Sequence, residues 1–267
     1  LRCSAKNERR VLFLGDSVAF GWGVAVEECF VWRLPPCAAR LGGDKRLTVI
    51  NCSISGYSPW QEYDLLQSEG LRYQPDLVVL VFCLNDVVEK FQLRQFGGSD
   101  RGKAPPGAAA LEWSGLFRTF RSWSTGMGGS ADVDEARRRE TYSVRRLTQE
   151  PDAPEIRRAW RITLENLGKI VTLAREHRVP LAIVCFPYPE QLLPEASQAP
   201  PPQRQIAAFA HQADVPFLDL LPVFRAYCLE NGLAGPELFL DHNHPTPQGH
   251  QLTTESIHAF LASNGWL

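Results

Sequence analysis

The sequence predicts an α/β fold: a three-layer α/β/α sandwich around a central, mostly parallel five-stranded sheet. Three observations lead there. Short β-rich apolar runs recur five times along 267 residues. They lack polar alternation, as strands buried on both faces do. Longer segments separate them, the alternation that builds a parallel sheet with helices on both sides. With 44% apolar and 22% charged side chains, the chain has material for a sizeable core and reads as one domain over 1–267.

The runs are Val11–Leu14, Leu47–Ile50, Leu77–Phe82, Leu181–Phe186 and Val215–Leu220. Before the fourth, Ile156, Trp160, Leu164, Leu167, Val171 and Ala174 recur at steps of three and four, the spacing of one helix face. Asp152 with Glu155 three residues on reads as a capping box, and Val179-Pro180 ends the helix. A last helix is expected over Gly249–Ser263, with Leu252, Ile257, Phe260 and Leu261 as its apolar side. From about 91 to 150 the strand pattern stops and glycine, serine and arginine dominate, which predicts an insertion. Its aromatic stretch Leu111–Trp123 and glycine-rich Gly126–Ser130 suit a lid that shapes access to a site. A helical excursion packed on the body explains the same stripe.

Lys and Arg number 28 against 30 Asp and Glu, a net charge of -2. No global basic field exists to hold a nucleic acid, so none is expected as a partner. The longest uncharged apolar run, Leu77–Leu84, falls far short of the roughly 20 residues of a membrane helix. No span is expected in this chain. The first residue is Leu1 and the sole methionine is Met127. That pattern predicts an upstream segment or anchor and an exported, periplasmic or membrane-tethered protein, with a cytoplasmic one as the alternative. Seven cysteines with no CxxC spacing predict free thiols, and Cys52, Cys83 and Cys185, in or beside strand runs, should pack as small hydrophobes.

Polar clusters follow the first three strands directly: Gly15-Asp16-Ser17, Asn51 through Gly56, and Asn85-Asp86. Each alone suits turn geometry and capping. In a parallel sheet, however, the carboxyl ends of all strands share one edge, where ligands bind in open α/β folds, so the three loops converge. A fourth cluster, Asp241-His-Asn-His-Pro-Thr-Pro-Gln-Gly-His250, precedes the last helix. An Asp three residues before a His can hold the imidazole in the tautomer that accepts a serine proton. Asp241, His242, His244 and His250 could instead ligate zinc or a similar ion. A proline-held loop with capping residues is the third reading.

Taken together, the four clusters resemble the SGNH hydrolase superfamily, also called GDSL esterases. Gly15-Asp16-Ser17 is similar to its first motif, Asn51-Cys-Ser-Ile-Ser-Gly56 to its second, Cys83-Leu-Asn85-Asp86 to its third and Asp241-His-Asn-His244 to its last. Cys83 and Ser53 depart from the family's usual glycines. The resemblance implies a flavodoxin-like fold and a serine-dependent ester hydrolase working through an acyl-enzyme. Ser17 would be the nucleophile, His244 the base and Asp241 its orienting acid. The backbone N–H groups of Ser17 and Gly56 and the side-chain amide of Asn85 would form the oxyanion hole. Asp16 then caps the following helix, and His242 and His250 are loop or surface residues. No metal and no organic cofactor is expected. The substrate would be a small acyl ester, including a carbohydrate O-acetyl group. An acyltransferase with a sugar hydroxyl acceptor and a catalytically silent carbohydrate-binding domain are the alternatives.

Overall fold

The computed structural model describes residues 8–41, 46–88, 144–193 and 202–267. Most of the expected insertion, including its aromatic and glycine-rich stretches, lies outside them. The elements run β1 (Glu8–Leu14), α1 (Ser17–Phe20), α2 (Phe30–Arg40), β2 (Arg46–Asn51), α3 (Pro59–Ser68), β3 (Leu77–Phe82), α4 (Pro154–Glu176), β4 (Leu181–Cys185), α5 (Gln203–Gln212), β5 (Phe217–Asp219), α6 (Leu220–Asn231) and α7 (Pro247–Ser263). The sheet order is β2-β1-β3-β4-β5 and every pairing is parallel.

Two apolar cores flank the sheet, and the pleat assigns residues to them. On one face Leu12, Leu14, Val78, Leu80, Phe82 and Ile183 meet Leu66 of α3, Trp160 and Leu167 of α4 and Ile206 of α5. On the other, Val11, Phe13, Leu77, Val79, Val81 and Val184 meet Phe30 and Leu34 of α2, Phe224 of α6 and Ile257 and Leu261 of α7. All six residues of β3 are buried. That double burial is why the strand reads as an unbroken apolar run, and each such side chain contributes roughly 1.5–3 kcal/mol by leaving water.

The six residues spaced along α4 face its core, with Leu164 only partly buried. The expected capping box is absent: Ala153 is the N-cap with no side-chain bond, and Asp152 is largely exposed. Glu155 is drawn instead to Arg146, whose guanidinium donates to it at 2.5 Å, and Pro154 in the first turn fixes the start. β5 is shorter than its apolar run because Asp219 turns into a cap, accepting the Leu221 N–H at 2.9 Å, and Leu220 already belongs to α6.

His250 is not a loop or surface residue. It lies in α7 with no exposed area, stacks on Phe30 at 5.6 Å between ring centroids and accepts the Phe30 N–H at Nδ1, 3.3 Å away. Pro247 at the helix start places position 250 in the first turn, on the side facing α2. Burial foremost, then the charges of Arg33 and His244, lower its imidazole from 6.5 to about 4. Between those values the unfolded chain binds a proton that the folded chain refuses. The stability is therefore fully present above pH 6.5 and is lost as pH falls toward 4, a window worth about 3 kcal/mol. His250→Asn retains an acceptor for Phe30 but does not titrate. Denaturant titrations across this window should show wild type losing about 3 kcal/mol more than the variant; parallel losses would mean His250 is solvated.

Candidate active site

The first turn at the carboxyl edge is built by exclusion. A Cβ on Gly15 would meet Ala19 Cβ at 2.9 Å and the Val81 carbonyl oxygen at 3.1 Å, so only glycine lets β1 pass into α1 there. Asp16 caps α1, its Oδ1 accepting the Val18 N–H at 2.9 Å, which fixes Ser17 as the first helical residue. The same side chain does more than cap. Its Oδ2 accepts a hydrogen bond from the Asn85 amide at 2.9 Å, and the Cys83 thiol donates to Oδ1 at 3.6 Å.

The loop after β2 is stitched to β1 by Cys52 N–H to the Phe13 carbonyl, 2.9 Å, and Ile54 N–H to the Gly15 carbonyl, 3.0 Å. The Asn51 amide donates to the Ala19 carbonyl at 2.9 Å, fastening α1 to that loop. Tyr57 N–H closes a turn onto Ile54 at 3.0 Å with Gly56 at φ +76, a conformation that favours glycine. Nothing lies within 4 Å of where a Gly56 Cβ would sit, so this backbone fronts open space. After β3, the Cys83 N–H donates to Asp86 at 2.9 Å and helical backbone begins at Asn85, which is 5% exposed.

His244 arrives from the far end of the chain. Its loop is tied at the base by an isolated bridge between Phe239 and Pro245, and inside it by Leu240 N–H to the His244 carbonyl, 2.7 Å. Gly249 permits the close return, since a Cβ there would stand 2.6 Å from the Leu238 carbonyl oxygen. Asp241 accepts the backbone N–H groups of Asn243 and His244 at 3.1 and 3.0 Å and the imidazole Nδ1 at 2.9 Å. With Nδ1 facing a carboxylate, the proton belongs on that nitrogen, which leaves Nε2 as acceptor for the Ser17 hydroxyl at 2.8 Å. Burial opposes the charge on Asp241, but the hydrogen bonds and charge of His244 outweigh it and hold the carboxyl well below the usual range. Such a chain can remove a hydroxyl proton and stabilise the imidazolium that results.

Two buried groups lie behind this surface. Glu62 of α3 is 1% exposed, and among the described residues neither carboxyl oxygen has a hydrogen-bond partner; burial, then the charge of Asp16, raises its pKa well above the usual carboxylate value. The Cys83 thiol is raised likewise by burial and by Asp16, so it stays protonated and hydrogen-bonds rather than reacts. Of the four residues that could have ligated an ion, His250 is turned away to Phe30, and among the described residues no three His, Cys, Asp or Glu side chains group as donors. His242 lies in the loop, its side chain mostly buried, with Nδ1 3.6 Å from Asp241. Sequence reasoning missed the Asp16–Asn85 bond and Glu62. The first joins strand ends that are not consecutive, and the second hides in an unremarkable helix face.

The GDSL-like Lipase/Acylhydrolase family profile matches residues 13–252. No curated protein matches the sequence. Among solved structures, TesA is similar at 18% identity and a TM-score of 0.57, over 97% of this chain and 100% of its own. The acetyl xylan esterase AlAXEase gives 13% and 0.57 over 94% and 98%. The psychrotrophic esterase EstA from Pseudoalteromonas sp. gives 14% and 0.54 over 96% and 97%. At these identities the likeness is one of fold.

Because the pKa of Glu62 is raised, the folded state keeps a proton that the unfolded chain releases above about 4.5. Holding the acid neutral therefore costs stability increasingly as pH rises from 4.5. Glu62→Gln escapes that cost. Thermal unfolding should show the variant more stable than wild type at neutral pH, with the advantage shrinking toward pH 4.5. A pH-independent difference would mean that Glu62 ionises normally.

Proposed function

The chain belongs to the GDSL-like lipase/acylhydrolase family, and from that premise we propose that it is a serine esterase acting through an acyl-enzyme on a small acyl ester, a carbohydrate O-acetyl group among the candidates. The observation that carries the reading is the hydrogen-bonded chain from Ser17 Oγ through His244 to Asp241, 2.8 and 2.9 Å. In this reading Ser17 Oγ attacks the ester carbonyl carbon while His244 Nε2 takes the hydroxyl proton. The tetrahedral oxyanion is met by the backbone N–H groups of Ser17 and Gly56 and by the Asn85 amide. Asn85 Nδ2 carries two hydrogens; Asp16 holds one, which orients the other. Collapse expels the alcohol, which leaves with the proton from His244. Water, deprotonated by the same imidazole, then attacks the acyl-enzyme carbonyl; collapse breaks the acyl–Oγ bond, His244 returns the proton to Ser17 and the carboxylic acid leaves.

Donors fixed before charge develops need no rearrangement when it appears, and this is where the rate enhancement is expected to arise. The acetyl xylan esterase among the similar folds supports a sugar ester as one substrate class. A sugar hydroxyl could replace water in the second step by identical chemistry. Product analysis with and without a polysaccharide acceptor separates the two.

A fluorophosphonate should label the peptide carrying Ser17, and Ser17→Ala should lose both labelling and ester turnover. Activity is expected to survive exhaustive chelation; loss with phenanthroline, restored by zinc, would replace this mechanism with a metal-assisted one. Asn85→Ala should lower kcat roughly 100- to 1,000-fold with KM nearly unchanged. It should also melt lower, because Asp16 loses a buried donor, so kcat is the deciding quantity. Wild-type kcat in that variant would remove Asn85 from the oxyanion hole.

A further inference from the structure

Trp22 is a large apolar side chain left 47% exposed beside the imidazole of His244, with ring centroids 6.2 Å apart and planes inclined by 35°. Its placement is built into the backbone. Gly21 and Gly23 bracket it at φ +88 and +85, both left-handed. A Cβ on Gly21 would strike Cys29 at 2.8 Å, and one on Gly23 would strike Leu240 at 2.7 Å. The Trp22 N–H donates to the Ser17 carbonyl at 3.0 Å, so the indole is tied to the turn that carries the serine. Leu240, from the loop that carries Asp241 and His244, is 48% exposed and packs on Gly23. Two exposed apolar side chains thus border the reacting groups, one from each end of the chain.

We infer that Trp22 is the platform on which the alcohol portion of the ester lies, and that this portion is a flat ring with one apolar face, of the chemistry of a pyranose. The inference rests on the serine-esterase reading of the same site. His244 Nε2 must hand its proton to the departing alcohol oxygen, so the alcohol lies on the histidine side, where Trp22 stands. The oxyanion donors Gly56 and Asn85 belong to the other two loops. A half-exposed indole covers one apolar face and leaves its surroundings to water. That suits a ring whose C–H bonds point to one side and whose hydroxyls stay solvated. A long alkyl group would gain only partial burial there.

The test compares wild type, Trp22→Ala and Trp22→Phe on acetyl, propionyl and butyryl esters of two alcohols, methyl xyloside and ethanol. Trp22→Ala is expected to lower kcat/KM on the xyloside esters roughly tenfold, mainly through KM, by the same factor for all three acyl groups. The penalty on the ethyl esters should stay within about twofold, and Trp22→Phe should recover most of the xyloside loss. A penalty that grows with acyl length would place Trp22 on the acyl side. An equal penalty on ethyl acetate would reduce Trp22 to holding His244. Either overturns the inference. Fluorophosphonate labelling of Ser17 in each variant keeps the two readings apart: if wild type neither labels nor turns over, the esterase reading fails, whereas labelling with the wrong penalty pattern sinks only the role of Trp22.

Discussion

The side chain of Asp16 is the constraint on which the carboxyl edge of the sheet depends. It is 1% exposed and accepts hydrogen bonds from the Val18 N–H, the Asn85 amide and the Cys83 thiol. One acidic side chain thereby caps the helix that begins at Ser17 and fixes the loop after β3. In a medium of low dielectric such bonds are strong, and an unmade one is costly, so Asp16 ties the turn and the loop to each other. Cys83 and Glu62 belong to the same arrangement. Burial, with the charge of Asp16, pushes both toward their protonated forms and so opposes a second negative charge beside Asp16.

The remaining members of the site are brought to this frame by topology. Strands β1, β2 and β3 are adjacent and parallel, so their carboxyl-end loops emerge side by side. The histidine loop reaches them from the other end of the chain, closing a gap of 227 residues with one hydrogen bond to Ser17. Small residues make the closure sterically admissible: Gly15 where β1 meets α1 and Gly249 where the loop returns against Leu238. Asp241 stiffens the approach by accepting two backbone N–H groups as well as the imidazole. These contacts lie within the protein itself, the kind of arrangement that the proposed stabilisation of a developing oxyanion would draw on.

Much of this was legible in the sequence because it follows from burial and chain order. β3 reads as six apolar residues because helices cover both of its faces, and the observed strand has the bounds of that run. α4 shows its buried stripe through 3.6-residue spacing. The clusters after the strands could be placed on one edge from parallel topology alone. What was not legible depends on contacts between sequence-distant atoms. Nothing local distinguishes Asp16 as a cap from Asp16 as an anchor for Asn85. His250 falls inside the expected last helix, but nothing local shows that the first turn of α7 faces it inward against Phe30. The capping box at Asp152 failed because Arg146 competes for Glu155.

In the proposed mechanism the Ser17 hydroxyl, deprotonated by His244, becomes covalently acylated during turnover. Rapid acid quench of the enzyme with an acetyl ester in the first turnovers, followed by peptide mapping, tests it most directly. An acetyl group is expected on the Ser17 peptide, forming before the steady state and decaying as fast as product appears. Turnover with Ser17 unmodified at every quench time, while the alcohol is released, would contradict it.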